Sequence, residues 1–319
     1  HGARTGRLAQ VRRADLMQAT LAWADAPLFF GLLHEVGRRV GTAMPDRIEL
    51  SPLADLGLTT HGGVLGIGAK RTLRIGLALI PMLDRQELRA ALAGALAKSD
   101  PDRHAAETAG TAAAVRATEK RLLAAALVGT YWDFEVELLG TEVIPTDYVT
   151  GFSELVRRLD GGRLAKERIR EGLRARTAVF DRFSVTMEED RALAASLFGD
   201  LDRLALTLLK QSSPAGVLEL PWAEIPSRVF APALVRRARA FAHERSILQA
   251  LREALDEIAA GNGTAASHGL LDLFRGALVE RGGRVELGHG ELLGVRFDGE
   301  LAPLDVRDLD LVRAWTNRL

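Results

Sequence analysis

Two short runs of the chain contain residue types that could bind a metal ion. His34-Glu35-Val-Gly-Arg38 differs at its last position from the zinc-binding pattern His-Glu-x-x-His, and a guanidinium does not ligate zinc. His104-Ala-Ala-Glu107 places nitrogen and oxygen donors one helical turn apart. We interpret the first run as a surface or helix-packing segment. The second is typical of a solvated helix start, with a metal site as the alternative.

Other catalytic patterns are absent from the sequence. There is no Gly-x-Ser-x-Gly elbow and no phosphate-binding loop, which leaves serine-hydrolase and kinase chemistry without support. Gly63-x-x-Gly66-x-Gly68 reverses the dinucleotide fingerprint, and we interpret it as part of a hairpin. The chain has no cysteine, which excludes disulfides, thiolate zinc sites and cysteine nucleophiles.

The charge composition argues against nucleic-acid partners and against a membrane-spanning segment in this sequence. The 42 Lys and Arg residues balance 42 Asp and Glu, and we therefore expect no nucleic-acid partner, since phosphate backbones are bound by a basic excess. No stretch without these four residue types is longer than 56–69, which contains five glycines and is too short to span a bilayer, since that takes about 20 apolar residues.

The first part of the chain alternates helical and strand patterns. Apolar residues at helical spacing predict helices over 10–43, with a break at Pro27, and Ile48 to Leu50 predicts a short strand. Apolar runs at 64–68 and 73–79 predict a hairpin that turns at 69–72. Asp84 and Glu87 form a capping box that predicts a helix through about Lys98.

From 102 to 212 the pattern is overwhelmingly helical, and a helix is predicted to open at Thr186-x-x-Glu189. Composition changes at 212–216, which predicts one domain over 1–212 and a second over 213–319. In the second domain, apolar alternation near Val285 and Val295 predicts a β-hairpin among helices. The predicted class is α+β and mostly helical.

The order of elements over residues 26–100 resembles the front half of the membrane-associated zinc metallopeptidases of the HtpX and CaaX-prenyl-protease type (minigluzincin fold). The residues that carry the resemblance are Ala26-Pro27-Leu28, Leu33-His34-Glu35-Val36, Pro45-Asp46-Arg47-Ile48, the Gly-rich hairpin, and Leu83-Asp84-Arg-Gln-Glu87-Leu88-Arg-Ala-Ala-Leu92-Ala93. The resemblance implies a core with a small antiparallel sheet. It also implies membrane attachment through segments outside this chain, on an unknown side.

In that family the last helix carries His-Glu-x-x-His, whose two histidines bind zinc and whose glutamate acts as general base. Here the five positions read Gly94-Ala95-Leu-Ala-Lys98, which removes both ligands and the base. Glu137 is the nearest counterpart of the family's third ligand. We hypothesise that a Lys98–Glu137 contact replaces the metal as an internal cross-link; an exposed Lys98 at the helix end is the alternative.

These observations predict a catalytically inactive relative that binds a protein or peptide and needs no metal or cofactor. In active relatives an edge strand holds the substrate, and strand addition needs no zinc. The predicted edge consists of Val64, Leu65, Gly66, Ile67 and Gly68. Two alternatives stay open: an active zinc peptidase with relocated ligands, such as His61, His104 and Glu107, or a structural scaffold.

Overall fold

The computed structural model describes residues 18–62, 68–139, 143–158, 163–211, 213, 216–260, 267–289, 291–302 and 308–319. The chain divides into two compact units. The first comprises residues 1–136 and 141–219, and the second comprises 137–140 and 220–319. The division thus falls at Leu220, beyond the boundary predicted from composition. The chain is α+β and mostly helical, as predicted.

A four-stranded sheet forms one side of the first unit. Its strands are β1 (Ala19–Thr20), β2 (Arg47–Ser51), β3 (Leu56–His61) and β4 (Lys70–Gly76), in the order β1-β2-β4-β3. β1 pairs antiparallel with β2, and β3 pairs antiparallel with β4. β2 and β4 run parallel, and the sheet is therefore mixed rather than purely antiparallel.

The predicted hairpin exists, but its first strand was placed too late in the sequence. β3 ends at His61, and residues 70–72, predicted as the turn, lie inside β4. The reason is that β3 is an edge strand whose second half is exposed, so it carries Thr59 and Thr60 where a buried strand would carry apolar residues. Of the predicted peptide-binding edge, Val64 through Ile67 lie outside the described residues. Gly68 is described and has a positive φ of 77° just before β4.

Helices cover the sheet and complete the first unit. They are α1 (Pro27–Val40), α2 (Arg85–Leu96), α3 (Pro101–Ala109), α4 (Thr111–Leu139), α5 (Tyr148–Arg158), α6 (Arg163–Thr177) and α7 (Leu201–Gln211). The break predicted at Pro27 is the start of α1, where proline suits the first turn. The last three residues of α4 group with the second unit. Two short strands, β5 (Val143–Pro145) and β6 (Leu218–Leu220), pair with each other.

The helix predicted to open at Thr186 does not form. Residues 183–191 have no regular secondary structure, and a short 3-10 helix, Ala194–Leu197, follows. Tertiary hydrogen bonds hold this segment instead. Val185 O accepts from Thr111 N at 2.9 Å, and Asp190 O accepts from Gln86 N at 3.1 Å. The segment thus supplies acceptors to backbone donors at the first turns of α4 and α2, which have no intrahelical partner.

The second unit contains α8 (Ala231–Ala242), α9 (Ile247–Ala259), α10 (Ser267–Glu280), α11 (Leu309–Thr316) and an antiparallel sheet of β7 (Arg284–His289), β8 (Glu291–Phe297) and β9 (Glu300–Leu301). Val285 pairs with Val295, as the alternation predicted. Both valines are buried, and the apolar core includes Leu234 and Phe274. Across the described ranges, no helix is both long and apolar enough to cross a bilayer.

Close packing between α8 and α10 depends on one glycine. A Cβ on Gly276 would collide with the Cβ of Ala238 and lie 3.3 Å from Leu234 O. We expect Gly276→Ala to lower the free energy of unfolding by about 1–3 kcal/mol, because overpacking exceeds the gain in helix propensity. Denaturant unfolding followed by circular dichroism measures it.

Gly31→Ala is the matched control, because Gly31 is also helical and has nothing within 4 Å of its added Cβ. This variant should gain up to about 1 kcal/mol from propensity alone. A stabilising effect of Gly276→Ala would contradict the packing described here.

Candidate functional site

The turn at residues 94–98 is only partly helical. α2 ends at Leu96, and Ala97 adopts extended backbone angles of φ −65° and ψ 135°. Lys98 is exposed and lies beyond the helix. The helix therefore ends two residues before the predicted limit, and Gly94 and Lys98 do not share a helix face. Pro101, the first residue of the next helix, has no backbone N–H and its ring would clash with the carbonyl of a helical Ala97, so α2 does not continue through this point.

Small residues at this turn let α3 pack directly against α2. A Cβ on Gly94 would lie 3.4 Å from Pro101 O and 3.9 Å from the Cβ of Ala105. Gly94 and Ala95 also line a cavity of about 290 Å³, whose wall includes Leu56 of β3. The end of α2 thus borders both an internal helix contact and a partly open cavity.

A charged cluster lies about two to three turns before Gly94, at the start of α2. Glu87 is almost fully buried, with 1% of its side chain exposed. Its carboxylate accepts from Arg116 Nε at 3.0 Å and from Lys120 Nζ at 2.7 Å. Arg116 and Lys120 are four residues apart on α4, which places them on one face of that helix. This cluster links α2 to α4.

The predicted capping box is confirmed and is part of the same cluster. Asp84 Oδ1 accepts from Glu87 N at 2.7 Å, and Glu87 Oε2 accepts from Asp84 N at 2.8 Å. Burial raises the pKa of Asp84, and the charge of Glu87 acts in the same direction against lowering contributions from the Glu87 backbone amide and the two cations. Arg116 also donates to Glu189 at 3.0 Å, which links the irregular segment 183–191 to the cluster.

The hypothesised Lys98–Glu137 contact stays untested. Glu137 belongs to α4, but its side chain lies outside the described part of the structure, and by contacts it groups with the second unit. Lys98 has the exposed placement that we gave as the alternative. The charged link that the structure does describe, from Glu87 to Arg116 and Lys120, was not anticipated. The spacing of those two cations was the sequence signal for it.

The candidate relocated ligands do not assemble. His61 is on β3 and contacts Thr59 at 3.1 Å, while Glu107 on α3 accepts from Arg103 at 2.7 Å. Within the described ranges there is no group of three or more His, Asp or Glu side chains that could hold a metal ion. Glu35 of the first candidate run lies 3.6 Å from both Arg39 and Arg89, which agrees with a helix-packing role.

The outer edge of β3 has backbone groups available for pairing. Gly76 N donates to Asp55 O at 2.7 Å, and in an antiparallel pair the bonded residues alternate. The backbone groups of Leu56, Leu58 and Thr60 therefore point away from β4. Arg121 donates to Leu56 O at 3.1 Å. In the described part of the chain, β3 has no strand on this side.

No protein-family model, curated protein or solved structure matches this chain.

Glu87→Gln tests the charged cluster. We expect the free energy of unfolding to fall by about 2–3 kcal/mol, because two partly buried cations lose the carboxylate that balances them. The expected loss of unfolding free energy is smaller than for a fully buried ion pair, because the side chains of Arg116 and Lys120 are 28% and 37% exposed.

Glu107→Gln is the control, because Glu107 pairs with Arg103 at the surface, where ion pairs contribute less than about 1 kcal/mol. Equal losses in the two variants, measured by denaturant unfolding, would show that burial of Glu87 contributes nothing.

Proposed function

We propose that this chain is a non-catalytic binding module that holds an extended peptide along the free edge of β3. The observation that supports this proposal is the outward direction of the backbone groups of Leu58 and Thr60. A peptide strand placed there gains main-chain hydrogen bonds irrespective of its sequence, and side-chain pockets add specificity.

Two features of the neighbourhood suit an extended ligand. Thr60 is exposed and Leu58 is half-buried, so the edge offers both access and some apolar contact. The cavity beside Gly94 and Ala95 opens next to Leu56, at the other end of the same strand. An edge strand beside the motif helix is also what the family resemblance implies for substrate binding, without zinc chemistry being required.

The proposal differs from the open alternatives in ways that can be measured. An active peptidase with relocated ligands would contain stoichiometric zinc after purification without added metal and would cleave peptides. A scaffold would bind no extended peptide at this edge. Membrane attachment, through segments outside this chain, stays an expectation of the resemblance.

Thr60→Pro tests the edge directly. Proline removes the outward N–H of Thr60 without removing a hydrogen bond to β4, and edge strands tolerate proline in that position. The probe is a decapeptide selected on the purified chain from a random displayed library. We expect its affinity, measured by calorimetry, to fall at least about tenfold, as one lost hydrogen bond and local strand distortion predict.

Thr60→Ala is the matched control, because it removes the same side chain but keeps the N–H, and its affinity should equal that of the unmodified chain. A selected peptide methylated at alternate backbone nitrogens should also fail to bind. Equal binding by Thr60→Pro and Thr60→Ala would contradict the proposal.

A further inference from the structure

The cavity beside Gly94 and Ala95 contains two arginines without a carboxylate partner. Arg121 of α4 and Arg176 of α6 both line it. Within the described residues, the hydrogen bond from Arg121 to Leu56 O is its single polar contact, and Arg176 has none. Most other arginines with a polar contact in this unit reach an acidic side chain, as Arg103, Arg116 and Arg182 do.

The charge inside the cavity is therefore unbalanced. Arg121 is half-buried, and burial followed by the nearby charge of Arg176 lowers its pKa. The guanidinium nevertheless stays protonated, since arginine does not lose its proton in proteins. Asp102 also lines the cavity, but it forms no ion pair with either arginine in the described structure. Arg176 is exposed at the cavity, whereas the half-buried Arg121 has limited access to water, and a partly desolvated cation without a carboxylate partner favours an anion beside it.

Size restricts what that anion can be. A volume of about 290 Å³ is at the lower limit of small-molecule sites, which occupy about 300–1,000 Å³. Besides the two arginines, the polar side chains of the wall are those of Asp102 and Thr118, and most of the remaining lining residues are alanines. A carboxylate fits this setting, because the guanidinium fork matches its two oxygens.

A second groove in the same unit has a different charge balance. It has a volume of about 750 Å³ and is lined by Lys120, whose ammonium donates to Glu87 at 2.7 Å. The charge of Lys120 is thus balanced by the protein itself. Arg121, one residue later in the sequence, projects into the smaller cavity and is not balanced.

The position of Arg121 also connects the cavity to the peptide edge. Arg121 donates to Leu56 O, and the next two outward-facing residues of β3 are Leu58 and Thr60. A peptide that runs antiparallel to β3 has its C-terminus at the Leu56 end, whereas a parallel peptide would bring its N-terminal ammonium there. The two arginines repel the ammonium and attract the carboxylate, so charge selects the antiparallel direction.

We propose that the Arg121–Arg176 cavity binds the C-terminal carboxylate of a peptide held antiparallel to β3. This inference rests on the proposed function for the peptide, but the cavity's preference for a carboxylate can be tested without it.

The experiment compares one selected decapeptide in three forms, using the full chain: with a free C-terminus, with a C-terminal amide, and as the amide with glutamate as its last residue. We expect the free acid to bind at least about tenfold more tightly than the amide, as expected for a charge-assisted hydrogen bond. The glutamate form distinguishes a side-chain carboxylate from a terminal one and should bind like the amide.

Arg121→Gln should abolish the preference for the free acid, and Arg176→Gln should reduce it. Arg174→Gln is the matched control, because Arg174 is exposed on the same helix but two residues away, on nearly the opposite face. The preference of the Arg174→Gln variant for the free acid over the amide should equal that of the unmodified chain. Arg121→Lys keeps the charge but lacks the guanidinium fork, and it replaces Arg121→Gln in this comparison if Arg121→Gln does not fold. Its preference for the free acid should be reduced.

Equal affinity for acid and amide would overturn the inference and leave peptide binding at β3 intact. Tighter binding of the glutamate form than of the free acid would also overturn it, in favour of side-chain recognition. A loss in Arg174→Gln as large as in Arg176→Gln would show general electrostatic attraction instead.

If no peptide binds in any form, the proposed function fails. Binding of acetate then tests separately whether the cavity prefers a carboxylate. Acetate at the same ionic strength as chloride should then raise the unfolding temperature of the unmodified chain but not of Arg121→Gln. The absence of that difference would overturn the carboxylate site as well.

Discussion

The buried carboxylate of Glu87 is the interaction on which the first unit depends most. It accepts hydrogen bonds from the Asp84 backbone, from Arg116 and from Lys120, and thereby joins the start of α2 to α4. A buried charge is tolerated only where such partners are all present. Through Arg116 and Glu189, the same cluster holds the irregular segment 183–191, which crosses the starts of both helices. Three separate parts of the chain therefore share one electrostatic centre.

The charge balance at Glu87 contrasts with the unbalanced charge of the next residue of α4 after Lys120. Arg121 follows Lys120 directly, but its guanidinium enters a cavity whose walls are small apolar residues of α2 and α3. Gly94 and Ala95 are responsible for that geometry, because their small size allows α3 to approach while leaving space beside Leu56. Two small residues near the end of α2 thus shape a cavity with positive charge.

In the proposed complex, the edge strand and the cavity together determine the orientation of the bound peptide. β3 offers hydrogen bonds at Leu58 and Thr60, and the charge at Arg121 lies at one end of that row. Main-chain pairing by itself does not discriminate between the two orientations of a peptide, whereas a charged end does. In this proposal the affinity for the peptide comes from main-chain pairing with β3, and the orientation of the peptide is set by the two arginines.

The sequence by itself determined the features that depend on neighbouring residues: the α+β class, the capping box of Asp84 and Glu87, and the alternating strands around Val285 and Val295. Features that depend on distant partners were decided only by tertiary structure. The cations on Glu87 lie 29 and 33 positions away in the sequence. Residues 183–191 form no helix, although Thr186 and Glu189 have the spacing of a cap, because their backbone binds the first turns of two other helices. Local patterns record the preferences of one segment, whereas the lowest free energy of a buried charge or an orphan backbone group depends on which distant segment reaches it.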